Sequence, residues 1–322
     1  MSDKIPSTIS TQLELPVISA PMFLVSSPEM VIAGCKAGII GSFPLANART
    51  EADLEAWMSR ITSALDEAKR LEPHRKIAPW AVNLVVHRTN KRYQQDIKFI
   101  EKYQPPIVIT SLGDPSQVVE IVHSYGGLVF SDVVNLVHAK KAAEKGTDGL
   151  ILVCTGAGGH AGSLNPFAFI SAVKEFWNGI TILSGGISNG QDIAAAQLLG
   201  ADLVYMGTRF IAVEESLASD AYRQMLVEST MEDVLYTDAF SGIGANYLLP
   251  SIERAGLNPQ NLIKKDSFDW SNYKSENGPK PWKDIWSAGQ GVGAIKRIET
   301  VAEVVEKLKE DYAIAARTAN NA

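Results

Sequence analysis

A regular alternation of short apolar segments with helix-like segments runs through the first two-thirds of this chain. The apolar segments lack polar alternation, which is typical of parallel strands buried on both faces. They occupy residues 15–21, 38–44, 77–86, 106–113, 127–133, 149–156, 179–186 and 201–208. Strand–helix alternation predicts the α/β class, and eight consecutive units predict a (β/α)₈ TIM barrel rather than a doubly wound sheet.

The segments between the strands carry helix start and stop signals. Ser, Thr or Asn precedes most of them, and Gly follows several. They occupy residues 26–38, 50–71, 90–103, 115–126, 135–146, 165–177 and 189–200. We therefore predict a barrel over residues 1–229, a lid or small subdomain over 230–297, and a C-terminal helix over 298–322 that packs back on the barrel.

The extension over residues 230–297 breaks the alternation and is rich in aromatic side chains. Trp270, Tyr273, Trp282 and Trp286 lie in it. Two interpretations are open: these side chains cover an apolar substrate, or they pack the extension onto the barrel.

Composition narrows the class of partner. The chain has 322 residues, 46% of them hydrophobic, and a formal net charge of −6, which argues against nucleic-acid binding. Only Cys35 and Cys154 are present, which fits a reducing compartment. The N-terminus lacks a signal pattern, and no apolar run is long enough to span a membrane. We expect a cytoplasmic protein that does not bind membranes.

The active site of a (β/α)₈ barrel lies at the C-terminal ends of its strands. Here these ends are rich in Ser, Thr, Asn and Gly and poor in carboxylates. A metal site needs a cluster of His, Cys, Asp or Glu, and a glycosidase needs two facing carboxylates. The sequence therefore predicts no metal site and argues against glycoside hydrolysis.

The ends of the seventh and eighth strands predict a phosphate site. Ser184, Gly185 and Gly186 end the seventh strand, and Gly207 and Thr208 end the eighth. Loops after these strands commonly present backbone N–H groups to a phosphate, and glycines let the oxygens approach. A tight turn without a ligand is the alternative interpretation of the glycine pair.

Neutral hydrogen-bonding groups around the mouth fit a flat phosphorylated cofactor such as FMN. The groups that could satisfy the edge of its ring belong to Asn83, to Ser111 and to the main chain of Ala20, Pro21 and Met22. The reduced ring is stabilised by nearby positive charge. Lys141 is a candidate for that charge, although the residues alone favour a solvated helix face for it.

A glycine-rich segment, CTGAGGHAG at residues 154–162, follows the sixth strand and contains His160. Glycine permits close approach of the backbone to a ligand, and an imidazole with a pKa of about 6.5 accepts a proton at neutral pH. Because strand-end loops carry the chemistry of barrels, His160 is the candidate general base.

The ordered motifs resemble the FMN-dependent nitronate monooxygenase family, also called the 2-nitropropane dioxygenase family. They are ISAPM, VNLV, the KA(x)₃G(x)D(x)LI pattern at 141–151, AGGHAG, SGGISNGQDIAAAQLLGADLVYMGTRF and WSAGQGVGAI. The resemblance implies that His160 is catalytic. It also implies that FMN is bound by Ala20, Pro21, Met22, Asn83, Lys141, Gly158, Ser184, Gly185, Gly186, Gly207 and Thr208. Val85 and Val153 depart from residue types common in the family.

The resemblance implies FMN-dependent oxidation of alkyl nitronates, or of the parent nitroalkanes, with O₂ to a carbonyl compound and nitrite. His160 would remove the acidic C–H proton or hold the nitronate. An NAD(P)H-dependent reductase of quinones or enoyl thioesters is one alternative, because family relatives include such enzymes. A flavin-free phosphate-binding isomerase or lyase is the other. The expected partners are a small-molecule substrate and O₂, and a homodimer is compatible with the sequence.

Overall fold

The computed structural model describes residues 2–264 and 279–320, and its main body is an eight-stranded parallel barrel. Its strands are β1 (Val17–Ser19), β2 (Gly41–Pro44), β3 (Trp80–Val85), β4 (Ile107–Ser111), β5 (Leu128–Val133), β6 (Gly149–Val153), β8 (Ile180–Ser184) and β9 (Leu203–Met206). They follow one another around the sheet in the order β1-β9-β8-β6-β5-β4-β3-β2, and a parallel bridge between Ile18 and Ile40 joins its two ends. All eight predicted strands are present, and the predicted TIM barrel is confirmed.

Eight of the helices in the described residues lie within the predicted helical segments. The helices are α1 (Ser7–Ser10), α2 (Pro28–Lys36), α3 (Glu51–Leu71), α4 (Tyr93–Tyr103), α5 (Ser116–Ser124), α6 (Leu136–Glu144), α7 (Pro166–Lys174), α8 (Gly190–Leu199), α9 (Asp220–Glu228), α10 (Leu249–Arg254) and α11 (Val301–Asn320). At the start of α3, Thr50 and Asp53 form a capping box. Helices α1, α9 and α10 have no counterpart in the sequence prediction.

Helix α11 completes the outer ring of the barrel. It packs against α8 and α2. At Gly190, helices α8 and α11 come so close that a Cβ atom would lie 2.1 Å from the Tyr312 nitrogen. The eighth helix of the barrel is therefore supplied from the far side of the extension.

Side-chain alternation along the strands divides the core into an inner and an outer layer. Ile109, Phe130, Ile151 and Ile182 share one cluster inside the barrel, whereas their neighbours along the strands pack against the surrounding helices. Two residues further along β4 and β5, the same inward direction belongs to polar residues. The inner core is thus apolar along its length and polar at its C-terminal mouth.

The described part of the extension forms a small antiparallel sheet with the glycine-rich loop. Its strands are β10 (Val234–Thr237), β11 (Ala245–Leu248) and β7 (Gly159–His160), in the order β10-β11-β7. Residues 286–295 then pack on the loops that follow β6 and β9, since Gln290 N donates to Gly156 O at 2.9 Å. The division into barrel, lid and C-terminal helix stays a prediction, and Trp270 and Tyr273 lie outside the described residues.

Candidate active site

A cavity of about 1120 Å³ opens at the C-terminal mouth of the barrel. Eleven of the thirteen residues proposed for the site line it: Ala20, Pro21, Met22, Asn83, Ser111, Lys141, Gly158, His160, Ser184, Gly207 and Thr208. Gly185 and Gly186 are not among the lining residues; both have positive φ angles, of 117° and 74°, and form the turn that follows β8. The strand ends thus bring most of the proposed residues together in one space.

The imidazole of His160 is held at the edge of this cavity by the extension. His160 pairs with Ala245 of β11, and its Nε2 lies 3.1 Å from the Ser241 hydroxyl. Its ring meets the Trp282 ring edge to face, with centroids 5.0 Å apart and planes at 76°. The pairing with β11 therefore fixes the backbone of His160. The Ser241 hydroxyl and the Trp282 ring restrict the orientation of its imidazole.

Burial and the contact with Ser241 both bear on the protonation of His160. The Ser241 oxygen lies 2.9 Å from Ile243 O and 3.1 Å from His160 Nε2, and its single hydrogen can be donated to only one of them. Donation to Ile243 O is compatible with a neutral imidazole that carries its hydrogen on Nε2. Burial lowers the pKa of His160 from its ordinary value to about 4, because desolvation disfavours the charged ring. The ring is therefore neutral at physiological pH.

The glycines of this loop permit a close approach of residues 286–295. A Cβ atom on Gly158 would lie 2.9 Å from Gly289 N and 3.0 Å from Thr208 Oγ1. Buried Asn246 of β11 fastens the same loop, because its Nδ2 donates to Ala157 O at 2.7 Å. The glycine-rich loop is thus clasped between the extension and the end of β9.

The ends of β8 and β9 offer small surfaces to a ligand. A Cβ atom on Gly207 would lie in ordinary contact with Met22 Sδ at 3.5 Å and Ala20 Cβ at 3.6 Å, so a longer side chain there would extend into the space of the mouth. The Thr208 hydroxyl accepts from Gly289 N at 2.8 Å, so its own hydrogen is available to a group in the cavity. Space without side chains and a hydroxyl donor fit the phosphate end of a flavin nucleotide.

The turn after β1 is shaped by Asn47, which no motif of the sequence singles out. Buried Asn47 accepts from Leu24 N at 2.9 Å and donates to Met22 O at 3.0 Å and to Ser26 O at 2.9 Å. Leu24 has a φ of 64°, which is unusual for a branched residue. One amide side chain thus holds the strained turn that places Met22 at the mouth.

On the opposite side of the mouth, Asn83 and Ser111 lie on neighbouring strands. Asn83 Nδ2 donates to Ser111 Oγ at 3.3 Å and to Ile109 O at 3.2 Å. Lys141 reaches the cavity from α6, whereas the adjacent Lys140 lies over the Phe176 ring, 5.3 Å from its centroid. The structure therefore separates the two lysines, and only Lys141 faces the mouth.

Sequence inspection missed residues of the extension that support the site. Ser241 contacts His160 and Asn246 holds the loop before it, and no periodicity indicates either contact. Trp282 was considered as a cover for the substrate, but its contact with His160 was not predicted. Asp132, at the end of β5, also lines the cavity. Counting alternate residues from buried Phe130 was the one signal that would have identified it as inward-facing.

Two negative findings apply to the described ranges alone. Within residues 2–264 and 279–320, no set of three or more His, Cys, Asp or Glu side chains is placed to hold a metal ion. Over the same ranges, no helix combines the length and the apolar character that crossing a membrane requires.

Comparisons with known proteins point to one family. A family model described as nitronate monooxygenase matches residues 6–311. The chain is 29% identical over 296 residues to the nitronate monooxygenase of Paraburkholderia phytofirmans, covering 77% of each chain. It is 24% identical over 278 residues to the (3aS,4S,5R,7aS)-5-hydroxy-7a-methyl-1-oxo-octahydro-1H-indene-4-carboxyl-CoA dehydrogenase of Rhodococcus jostii, covering 85% of this chain and 74% of that one.

Among solved structures, the fold is similar to that of a nitroalkane oxidase from Streptomyces ansochromogenes. The TM-score is 0.80 at 21% identity, and the match covers 96% of this chain and 99% of the other. At this identity the similarity supports the barrel and its extension as a shared fold.

Proposed function

Since the chain belongs to the nitronate monooxygenase family and is therefore an oxidoreductase, we propose that it binds FMN at the mouth of its barrel and oxidises alkyl nitronates with O₂ to a carbonyl compound and nitrite. The observation that carries this proposal is the position of His160. Its neutral imidazole is fixed at the edge of a cavity large enough for a flavin and a small substrate.

The residues present fit a flavin nucleotide. Gly207 leaves open space beside Met22, Thr208 has a hydroxyl hydrogen to donate, and Asn83 and Ser111 supply polar groups across the mouth. Lys141 brings a positive charge to the same cavity. Bound FMN would supply the electron transfer and the reaction with oxygen. We assign its phosphate to the side of β8 and β9, including the turn at Gly185 and Gly186.

The part of the reaction that the chain performs is proton transfer and positioning. A nitroalkane has an acidic C–H bond beside its nitro group, and the lone pair of neutral His160 accepts that proton. Toward a nitronate that is already formed, the imidazole acts by hydrogen bonding. Trp282 and Val153 line the cavity near the histidine, so the substrate carbon chain would lie against an apolar wall.

Anaerobic reduction tests the proposal. The purified protein should be yellow, should release FMN on heating, and should be reduced by ethylnitronate in a stopped-flow experiment without oxygen. Admission of O₂ should then yield nitrite. Reduction by NADH alone, with no reaction of ethylnitronate, would contradict the proposed activity while leaving the flavin site intact.

A second candidate is NAD(P)H-dependent reduction of quinones or enoyl thioesters. The extent of the cavity favours it, because the lining continues beyond the mouth to Asn90, Asp114 and Lys145, where a longer ligand would lie. The relative in Rhodococcus jostii is named for a CoA thioester substrate. A colourless protein without releasable FMN would instead support a flavin-free isomerase or lyase, which family membership disfavours.

The remaining expectations concern the protein in the cell. We propose a cytoplasmic enzyme whose partners are its small-molecule substrate and O₂. Light scattering tests whether two copies of the chain form a homodimer.

A further inference from the structure

Asp132 is a carboxylate at the barrel mouth that the proposed chemistry does not use. It follows Phe130 by two residues on β5, and Phe130 packs inside the barrel, so the Asp132 side chain points inward and lines the cavity. Its Oδ1 atom is shielded from solvent and has no hydrogen-bond partner among the residues that the structure describes. A shielded carboxylate oxygen without a donor lowers stability, so its presence calls for a ligand that supplies one.

The inward side chains near Asp132 carry no charge, and Lys141, which lines the same cavity, does not offset the burial of this carboxylate. The inward side chains of β6, the neighbouring strand, are Ile151 and Val153, and Tyr205 projects inward from β9. Burial raises the pKa of Asp132 to about 7. The pKa of Tyr205 is raised by burial and, to a smaller extent, by the negative charge of Asp132. The nearest protein groups therefore neither neutralise the carboxylate nor donate to its buried oxygen.

Asp132 extends a row of polar residues across three consecutive strands. Asn83 lies on β3, Ser111 on β4 and Asp132 on β5, and all three line the cavity. Around the barrel, β3 and β4 lie opposite β8 and β9, whose loops carry the proposed phosphate site. A flavin anchored at that site would direct its ring toward this polar row.

The chemistry of the row identifies the atom that it can receive. The polar edge of an oxidised isoalloxazine presents two carbonyl oxygens and, between them, the N3–H group, its only ring N–H donor. Asn83 already donates within the row. A donor on the ligand favours the ionised form of Asp132, and an ionised carboxylate can only accept. We propose that Asp132 is a cofactor-binding residue whose carboxylate accepts a hydrogen bond from the N3–H of the flavin. This inference rests on the flavin of the proposed function and specifies how the ring is held.

The assignment makes opposite predictions for affinity and for stability. Asp132→Ala removes an acceptor from the cofactor, and we expect the dissociation constant for FMN to rise about tenfold or more, as for loss of a charge-assisted hydrogen bond. The same change removes an unpaired carboxylate from the flavin-free protein, whose melting temperature should rise. A residue with a purely structural role would lower both affinity and melting temperature.

The experiment is a cycle of two proteins and two ligands. Flavin-stripped parent and Asp132→Ala proteins are titrated with FMN and with N3-methyl-FMN, following flavin fluorescence. N3-methylation should weaken binding to the parent and leave binding to Asp132→Ala unchanged. Asp132→Asn keeps an acceptor oxygen and the side-chain volume, so its loss of affinity should be smaller than that of Asp132→Ala.

Asp202 supplies a matched control. It is a buried carboxylate at the opposite end of the barrel, and it accepts from Thr181 N at 2.7 Å. Asp202→Asn should lower the melting temperature and leave FMN affinity unchanged. Equal FMN affinity of parent and Asp132→Ala, or equal sensitivity of both to N3-methylation, would overturn the assignment alone. Failure of the parent to bind FMN would overturn the proposed function together with it.

Discussion

His160 is the residue whose protonation the surrounding structure controls most directly. Burial against Trp282 and Ser241 lowers its pKa to about 4, so the ring stays a neutral base wherever most enzymes operate. We expect kcat/KM for a neutral nitroalkane to show its acidic limb near pH 4. A limb near the ordinary histidine value of about 6.5 would show that water reaches the ring and would contradict this environment.

Replacement of His160 separates proton removal from substrate binding. His160→Gln should lower kcat/KM for nitroethane by about 100-fold or more, the contribution of a positioned general base. Activity on the preformed ethylnitronate should fall far less, because that anion has no proton to lose. Retention of the FMN absorption spectrum is the control, and equal losses on both substrates would rule out proton abstraction.

The same shift affects folding stability in a defined direction. The folded pKa of His160 lies below the unfolded value of about 6.5, so the unfolded chain binds the proton first as pH falls. Stability should therefore decrease as pH falls from about 6.5 to about 4, and His160→Gln should lose less over that window. Urea denaturation of both proteins at the two ends of the window measures the difference. Identical pH dependence would show that His160 titrates normally in the folded state.

The side chain of Asn47 stabilises the turn that follows β1. It satisfies three main-chain groups of the turn that contains Leu24 at a φ of 64°. Asn47→Ala would leave buried polar groups unpaired, at a cost of about 1–3 kcal/mol for each unsatisfied group. Urea denaturation should reveal the loss, and FMN affinity should fall because Met22 loses its fixed position. An unchanged midpoint of unfolding would refute this role.

Among the elements, the sheet β10-β11-β7 joins the extension to the glycine-rich loop that contains His160. Strand β7 has two residues and pairs with β11, which lies more than 80 positions along the chain. No period of two can be recognised over two residues, and the partner is distant in sequence, so the local pattern could not predict this sheet. The local sequence pattern therefore could not predict how His160 is held, because its position depends on this pairing.

Trp282 lines the cavity and contacts two residues of this sheet. Its ring contacts His160, lies 5.8 Å from the Tyr247 ring, and its backbone has a φ of 61°, a conformation that persists only where the surroundings enforce it. Trp282→Ala should admit water to the imidazole and move the acidic limb of the pH profile upward. It should also raise kcat/KM for longer nitronates relative to ethylnitronate.

Trp57 provides the comparison for loss of a tryptophan elsewhere. It is half-buried on α3, where it packs against Phe43. Trp57→Ala should reduce stability without changing the pH profile or the preference for chain length. If both variants shift the profile alike, the effect of Trp282→Ala reflects general loosening of the protein and not the wall of the cavity.

At the scale of the whole molecule, the sequence predicts the barrel well because its signals are local. Each strand is a buried apolar run, and helices such as α3 begin at a side chain that caps them. The polar mouth could be predicted in the same way from strand ends. The clasp around the glycine-rich loop could not, because Gly158, Thr208 and Gly289 meet only after the extension folds back.

A buried ion pair joins the end of the last barrel strand to the start of the last helix. Arg209 follows β9, and its Nη2 lies 2.5 Å from Oε2 of Glu299, just before α11; both side chains are about nine-tenths buried. The pair thus joins the loop beside Thr208 to the helix that completes the outer ring. Its value lies in fixing this junction, since replacing a buried pair with apolar residues is often neutral in stability.

Single and double substitutions distinguish a fixed junction from a merely favourable contact. Glu299→Leu leaves Arg209 buried without this carboxylate and should cost about 3–5 kcal/mol in the free energy of unfolding. Arg209→Met should cost less, because Glu299 keeps its contact with Arg297 at 3.3 Å. The double variant should recover most of the stability and yet bind FMN more weakly, because the loop carrying Thr208 loses its directional restraint. Urea denaturation and FMN titration of the three variants measure both quantities. A double variant with full FMN affinity would show that apolar packing alone positions the last strand-end loop.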